Sequence, residues 1–476
     1  MPVKGESIKE FSLRALIVLC VMAIYAQSVS FDFSYDDGPR IQRDQLVSGE
    51  PAGGTGLARI FSAPTFPGDL YRPVTTWTFR LNYLLFGLDP SFFHAFNVAL
   101  HAAVSVLVFE LLLVVCCSAS IALCGALIFG LHPIQVEAVA NISGRAELLA
   151  AFFGLLSLLV FVRGAKSWFG GILAAVLLLA ACLSKESAAV FVFLIPLVSW
   201  FVAQMQRVRV WRGAIMLALG AALSVFLRYL VLGSVFSVTR APYYLAENPL
   251  ASEGVSFLTR LLVGLQLLGR YLILLVYPVD LSADYSLGPQ HFWEAVYGSQ
   301  GMLWLSVLTV WCVLAVKLRR SPAGLFAFWY LGAFLVTCNI LTPIGTIMAD
   351  RLAYLPSIGF IGLTVWGVPR ILPGKRVLKT ALAALAILLA VFLSLGRIPV
   401  WKDNTSLFLQ TSLDAPFSPK AMESAGKEWF YTFKNYERAE FFFRRALALD
   451  PNRPETMPFL IDLSLARNNL KEAEYW

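Results

Sequence analysis

The stretch Phe129-Gly-Leu-His-Pro-Ile-Gln-Val-Glu-Ala-Val-Ala-Asn-Ile-Ser-Gly-Arg-Ala-Glu-Leu-Leu149 places polar and charged side chains between two apolar runs. Burying such groups without partners costs free energy, so we expect them to face a wet or polar cavity at a membrane surface. We therefore predict a cavity built around this stretch and a second acidic pair, Asp36-Asp37. The polar residues of the stretch are His132, Glu137, Asn141, Arg145 and Glu147.

The composition is that of a polytopic membrane protein. Of the 476 residues, 58% are hydrophobic and 14% are charged, and the mean hydropathy is +0.70. A soluble domain of this length has no reason to be so apolar. The net charge of +8 comes from short basic clusters between apolar runs, which is typical of topology signals and not of a nucleic-acid-binding surface. We therefore predict an all-α polytopic membrane protein with no nucleic-acid partner.

The apolar runs predict about eleven membrane spans. Counted from a cytoplasmic N-terminus, their order places every basic cluster on the cytoplasmic side, as the positive-inside rule requires. The clusters are Arg163/Lys166, Arg207/Arg209/Arg212, Lys317/Arg319/Arg320 and Arg370/Lys375/Arg376/Lys379. The spans cover residues 13–30, 95–116, 119–132, 147–163, 168–183, 188–204, 213–232, 302–318, 323–341, 352–368 and 378–395.

Two long outer regions separate these spans. The first outer loop covers residues 31–93, and loops of this length usually have a task. The second region, residues 233–301, contains the apolar segment 257–279, which carries Arg260 and Arg270. If this segment crossed the membrane, the next basic cluster would lie outside, so we predict a re-entrant or interfacial helix. The alternative is an ordinary span with both arginines near one end.

The C-terminal part is water-soluble in character. After the membrane domain of residues 1–396 and a linker at 397–419, Asn435-Tyr-Glu-Arg-Ala439 recurs as Asn469-Leu-Lys-Glu-Ala473, an offset of 34 residues. This period predicts tetratricopeptide-like repeats over residues 420–476, with the second repeat truncated. Fewer than three repeats are rarely stable by themselves. We therefore expect them to dock on the membrane domain or to continue in a longer chain.

On this topology the charged side chains that could take part in catalysis or substrate binding collect on the outer side. Asp36 and Asp37 can supply a general base and a neighbour that tunes it, although Asp-Asp-Gly-Pro also favours a simple turn. The remaining residues are candidates for contacts to a phosphate or a polar substrate, with snorkelling or helix capping as the alternative. They are Arg72, His132, Glu137, Arg145, Glu147, Lys185, Glu186, Arg228, Asp350 and Arg351.

The sequence predicts no metal site. His94 and His101 lie on one helix face but about 10 Å apart along its axis, which is too far to share an ion. With His132 they are better explained as hydrogen-bonded histidines. Glu110 is an acid inside a span, and we expect a nearby basic residue to pair with it or a proton to neutralise it.

Several stretches, in order along the chain, carry one resemblance. Together they are similar to the transmembrane-and-tetratricopeptide-repeat protein O-mannosyltransferases, and the short repeat region and Ala-rich chain are more typical of a bacterial member. The stretches are Tyr71-Arg-Pro-Val-Thr-Thr-Trp-Thr-Phe79, Phe93-His-Ala-Phe-Asn-Val-Ala-Leu-His101, His132 to Leu149, Ser184-Lys-Glu186, Gly345-Thr-Ile-Met-Ala-Asp-Arg-Leu-Ala-Tyr-Leu-Pro-Ser357 and Trp401-Lys-Asp-Asn-Thr-Ser-Leu-Phe408.

The resemblance implies a GT-C-type membrane glycosyltransferase that uses a polyprenyl-phosphate-linked sugar and no further cofactor. It implies that Asp36 or Asp37, with Asp36 favoured, takes the proton of a Ser or Thr hydroxyl while the configuration at the sugar inverts. Basic groups would stabilise the leaving phosphate, and the repeats would help to hold the acceptor protein. The candidates for the phosphate contact are Arg145, Lys185, Arg228 and Arg351.

Alternatives remain open at this point. The same donor chemistry could serve a lipid or glycan acceptor, or the chain could be a transporter or flippase of a lipid-linked glycan. A transporter is expected to carry polar groups near mid-membrane on broken helices, whereas here they collect at one surface. A scaffold without catalysis is a third class. We expect a bacterial inner-membrane protein with its active site and repeats on the periplasmic side, or a lumenal site in the endoplasmic reticulum of a eukaryote.

Overall fold

The structure is a computed structural model that describes residues 8–49, 56–65, 70–164, 168–202, 207–234, 248–252 and 254–475. Within these ranges the chain is helical and forms no β-strand, which confirms the predicted all-α class. Lys166 lies outside the described residues, as do the side chains of Arg207, Arg209 and Arg212. Two of the predicted basic clusters are therefore not described in full.

Short connections join many of the helices, whereas long segments separate Tyr25 from Leu57 and Phe334 from Tyr354. In chain order they are α1 (Ile8–Tyr25), α2 (Leu57–Ser62), α3 (Pro73–Phe86), α4 (Pro90–Cys116), α5 (Ala119–Leu131), α6 (Val136–Ala140), α7 (Arg145–Gly164), α8 (Trp168–Ser184), α9 (Phe191–Val202), α10 (Arg207–Leu232), α11 (Phe257–Val276), α12 (Pro289–Tyr297), α13 (Ser299–Lys317), α14 (Pro322–Phe334), α15 (Tyr354–Ile371), α16 (Arg376–Arg397), α17 (Asn404–Asp414), α18 (Pro419–Lys427), α19 (Tyr436–Leu449), α20 (Met457–Ala466) and α21 (Leu470–Tyr475).

The chain is an integral multi-pass membrane protein. Among the described residues, 8 helices are long and apolar enough to cross a membrane, and α5 with the bent segment after it would make up to 9. The apolar helices α8, α9 and α14 are shorter. Every predicted span overlaps one of these helices, although the span predicted at 323–341 extends beyond α14, which ends at Phe334. The polytopic prediction is confirmed. Helix α11 is itself long enough to cross, so its length does not distinguish the two readings of residues 257–279, and this point stays a prediction.

Side chains at the helix starts satisfy the backbone N–H groups that have no partner within the helix. Asp89 caps α4 by accepting from the N–H of Ser91, and Ser321 caps α14 in the same way. Proline follows each of these capping residues, where its fixed φ angle suits the first turn and its missing N–H costs nothing. These caps set where the helices near the charged residues begin.

The helices form two compact units. In the first unit, α7 packs along α8 and against α9, where Gly154 leaves no room for a side chain because an added Cβ would lie 2.0 Å from the ring of Phe191. The first unit comprises Met1–Ser237, Thr309–Thr337 and Arg351–Pro399, and the second comprises Val238–Leu308, Cys338–Asp350 and Val400–Trp476.

The second unit contains the region predicted to carry repeats. Helices α18 and α19 pack against each other, and α20 follows on the same core, which Ala439, Phe443, Leu460 and Leu463 form. The carboxylate of Glu423 accepts hydrogen bonds from Arg453 Nε at 2.6 Å and from the hydroxyl of Thr456 at 2.8 Å. Helices therefore occupy the predicted repeats, while their identity as tetratricopeptide repeats and the proposed domain boundaries stay predictions.

Candidate functional site

Asp37 is fully buried and ties the first loop to the segment around Ser143. Its Oδ1 accepts hydrogen bonds from the backbone N–H and the hydroxyl of Ser143, at 2.8 and 2.7 Å, and its Oδ2 accepts from the N–H of Ser34 at 3.1 Å. Burial raises the pKa of Asp37 from 3.8 to about 6, and the three hydrogen bonds oppose this only in part. These three hydrogen bonds hold the first loop against the segment around Ser143, and the predicted catalytic role of Asp37 stays a prediction.

Asp36 differs from its neighbour because its side chain is 35% exposed and lies in a partly buried ion pair. Its Oδ2 is 3.6 Å from Nη2 of Arg40, which stands four residues later in the short π-helix Gly38–Gln42. Tyr35, just before the two acids, has a left-handed backbone with φ of 55°. Because side chains seldom adopt this conformation, the path of the chain at Asp36 is set by a strained residue.

The stretch from His132 to Glu147 is held by local caps and by α4. His132 accepts a hydrogen bond from the N–H of Ile134 at 3.2 Å, and Asn141 accepts from the N–H of Ser143 at 3.0 Å. The side-chain amide of Asn97, on α4, donates to the carbonyls of Asn141 and Ile142, both at 3.2 Å. These polar groups therefore satisfy one another inside the protein.

Arg145 is fully buried, and its guanidinium lies among aromatic rings and neutral oxygen acceptors. Its Nε donates to Asn97 at 2.8 Å and its Nη1 to Asn82 at 2.6 Å, while Nη2 donates to the carbonyl of Phe93 at 3.0 Å. The guanidinium also stacks over the ring of Phe79, 4.6 Å from its centroid. Arg145 has no exposed surface, and its hydrogen bonds join the start of α7 to α3 and α4.

Three further acids of the predicted site each take at least one basic partner. Glu137 pairs with Arg351, whose backbone N–H also donates to Glu137 Oε2 at 2.8 Å. Glu147 pairs with Lys185. The third acid is shared between two arginines: Glu186 accepts from Arg72 at 2.9 Å and from Arg228 at 2.7 Å.

These pairs and Asp36–Arg40 form one group, which we name the charge cluster. Arg40 interacts electrostatically with Arg72, Arg351 and Glu186, and Lys185 interacts with Arg72 and Arg351. The cluster has five basic members and four acidic ones, so its formal charge is +1. Its members are Asp36, Arg40, Arg72, Glu137, Glu147, Lys185, Glu186, Arg228 and Arg351.

Burial depresses the basic strength of two members of the charge cluster. It lowers the pKa of Lys185 to about 8, against the opposing effect of Glu147. It also lowers the pKa of Arg40, against the opposing effect of Asp36. A surplus of positive charge in a poorly solvated place favours an anionic ligand.

The sequence predicted eight of the nine members of the charge cluster. Arg40 was missed, although its position four residues after Asp36 matches the spacing of a helical ion pair. Asp350 lies in the second unit, buried, and accepts a hydrogen bond from the hydroxyl of Tyr285. The arginine beside it, Arg351, pairs with Glu137.

Nothing in the described part of the chain resembles a metal-binding cluster: no group of three or more His, Cys, Asp or Glu side chains could hold an ion there. His101 instead bonds to the hydroxyl of Tyr354 at 2.7 Å and to the carbonyl of Gly130 at 3.0 Å. The expectation of catalysis without a metal or cofactor is not tested by this and stays a prediction.

Curated proteins similar to this chain confirm the predicted resemblance. The chain is 28% identical over 433 residues to protein O-mannosyl-transferase F38B6.6 of Caenorhabditis elegans, covering 87% of this chain and 60% of the relative. It is 27% identical over 486 residues to protein O-mannosyl-transferase TMTC3 of Mus musculus, covering 93% and 51%. It is 25% identical over 480 residues to protein O-mannosyl-transferase TMTC4 of Homo sapiens, covering 88% and 64%.

The similarity covers most of this chain but only part of each relative. The chain spans between 51% and 64% of the length of these curated relatives. No family model and no solved structure matches it. What the relatives are named for is therefore a starting point for a proposal about this chain.

Proposed function

We propose that this chain is the membrane-embedded catalytic part of a protein O-mannosyltransferase. It would move mannose or a similar hexose from a polyprenyl-phosphate donor to Ser or Thr hydroxyls of proteins on the outer face of the membrane. The named activity of the relatives supports the reaction class. The observation that carries the proposal is the partly exposed carboxylate of Asp36 at a charge cluster with a formal charge of +1.

Asp36 is the proposed general base. It is the one member of the acidic pair with exposed carboxylate surface, whereas Asp37 is buried and engaged by three hydrogen bonds. Asp36 would take the hydroxyl proton as the acceptor oxygen bonds to the anomeric carbon. The bond from that carbon to the phosphate oxygen breaks, polyprenyl phosphate leaves with both electrons of the bond, and the configuration inverts.

The leaving phosphate is proposed to lie near Arg72, Arg228 and Arg40. Arg72 and Arg228 both pair with the carboxylate of Glu186, so two guanidinium groups meet in this part of the charge cluster. Guanidinium groups bind phosphate oxygens bidentately and need no reorganisation as the negative charge grows. Lys185 and Arg351, each paired with its own acid, would contribute at longer range.

The proposal is tested with purified full-length protein, a panel of polyprenyl-phosphate sugars, and Ser/Thr peptides. We expect release of polyprenyl phosphate and inversion at the anomeric carbon, both followed by NMR. Asp36→Asn should lower turnover by roughly 10²- to 10⁴-fold, the usual contribution of a general base. The matched control is Asp32→Asn, which changes an exposed acid of the same loop and should leave turnover unchanged.

Three outcomes would count against parts of the proposal. Full turnover in Asp36→Asn would refute the base assignment. Donor consumption with a lipid or glycan acceptor but not with peptides would move the activity to a different acceptor class. Consumption of no donor, together with passage of a lipid-linked glycan across vesicle membranes, would favour a transporter.

A further inference from the structure

A groove of about 410 Å³ lies between α4, α7 and α8, away from the charge cluster. Its walls are largely apolar and include Leu107 on α4, Leu156 and Leu159 on α7, and Leu173 on α8. Arg163, at the end of the groove, is 16 residues from Glu147 of the charge cluster along α7, which corresponds to about 24 Å. The groove and the charge cluster therefore lie near opposite ends of the same helix.

One end of the groove carries a buried acid and a cation that reaches solvent. Glu110 is 9% exposed and pairs with two arginines, Arg163 and Arg14, the latter at 2.7 Å. Two guanidinium groups therefore face one carboxylate at this point. Glu10 also pairs with Arg14, at 3.7 Å, and does not line the groove.

Arg163 is the cation that an incoming group would meet. It lines the groove, its side chain is 53% exposed, and among the described contacts its guanidinium donates through Nη2 alone. Its pairing with Glu110 fixes the position of the guanidinium while leaving its other N–H groups toward solvent. A fixed, part-solvated guanidinium suits the phosphate of a ligand better than a freely rotating side chain does.

We propose that this groove binds one anionic phospholipid, with its phosphate on Arg163 and one acyl chain between α4, α7 and α8. Three properties of the groove select this ligand class. Its apolar walls fit a hydrocarbon chain, its charged end fits an anion, and two of its three helices, α4 and α7, are long and apolar enough to cross a membrane. The site is independent of the proposed transferase reaction.

The test is native mass spectrometry of the full chain in detergent, with phosphatidylglycerol or phosphatidylcholine added. We expect one phosphatidylglycerol to stay bound under conditions that strip phosphatidylcholine. Arg163→Gln should lower the retained fraction roughly tenfold, as loss of a charge-assisted hydrogen bond implies, and Arg163→Lys should restore part of it. Leu173→Trp, which fills the groove, should remove the lipid without changing charge.

Two control variants separate a built site from ordinary boundary lipid. Ile172→Trp adds the same bulk to an exposed neighbour that does not line the groove, and Arg376→Gln removes an exposed arginine from another helix. Both should retain the lipid as the unaltered protein does. The proposal would be overturned if Arg163→Gln and Leu173→Trp retained as much lipid as the unaltered protein. It would also be overturned if the two controls lost as much lipid as these variants. If Arg163→Gln fails to fold, Leu173→Trp against Ile172→Trp decides.

Discussion

The substitution Asp37→Asn should change the stability of the protein in a way that depends on pH. Asp37 is fully buried, and its pKa is raised to about 6 by burial, from 3.8. Between pH 3.8 and about pH 6, Asp37 is mostly protonated in the folded protein and mostly ionised in the unfolded chain. The unaltered protein therefore gains stability from this group as the pH falls through 6 towards 4, and loses it as the pH rises.

The expected change in stability follows from the difference in the pKa of Asp37 between the folded and unfolded chain and from one lost hydrogen bond. At pH 7.5 the buried charge costs about 3 kcal/mol relative to the unfolded chain, and at pH 4.5 about 1 kcal/mol. Asparagine is never charged and keeps both bonds from Ser143 through its carbonyl oxygen. Its NH₂ group, however, meets the N–H of Ser34 and leaves that donor unpaired, which costs about 1–3 kcal/mol.

At pH 7.5 the free energy of unfolding of the variant should therefore equal that of the unaltered protein or exceed it by up to about 2 kcal/mol. At pH 4.5 it should be lower by up to about 2 kcal/mol. Unfolding midpoints of both proteins in the same detergent, followed by tryptophan fluorescence across this range, measure the crossing. Asp32→Asn, at an exposed site, should show no such pH dependence. A stability difference that stays constant with pH would refute the reasoning.

Three other substitutions test the remaining roles. Arg40→Gln should lower turnover roughly tenfold and Arg40→Lys by less, because the lysine keeps a positive charge near Asp36 and the leaving phosphate; steady-state kinetics at saturating donor measure this. Donor affinity should fall roughly tenfold as the pH rises through about 8, because Lys185 loses its proton there. The variant Lys185→Gln should bind the donor weakly at every pH. Donor Kd values measured across this pH range test both expectations. Arg145→Gln should destabilise the protein by about 1–3 kcal/mol, seen as a lower unfolding midpoint, because it leaves buried acceptors unpaired.

The membrane fold could be predicted well from the sequence because its signal is local. A segment that crosses lipid must satisfy its own backbone hydrogen bonds and must be apolar for about twenty residues, and both conditions can be read from one window of sequence. The prediction is weakest where these conditions are met only in part. Helix α11 is apolar along its length but carries Arg260 and Arg270, so the charge rule and the length rule disagree there.

The partners of the charged residues could not be predicted, because they are distant in sequence. Asp37 and Ser143 are separated by 106 residues, and Arg351 and Glu137 by 214. Sequence patterns place these residues at helix ends, but tertiary packing decides which acid meets which base. The same limit applies to Arg145, which reads as a surface cation in the sequence and is buried among the rings and amide oxygens of other helices.

The adjacent acids Asp36 and Asp37 show how local geometry separates two residues that look equivalent in sequence. Asp37 has helical backbone angles, and successive side chains on a helical turn point about 100° apart, so one can be buried while the other reaches solvent. Tyr35 ends the preceding segment in a left-handed conformation that costs about 1–2 kcal/mol. The three hydrogen bonds of Asp37 are placed to hold this strained turn in one register. Asp37 would therefore support the reaction by fixing the position of Asp36, and the pair would supply one base and one anchor.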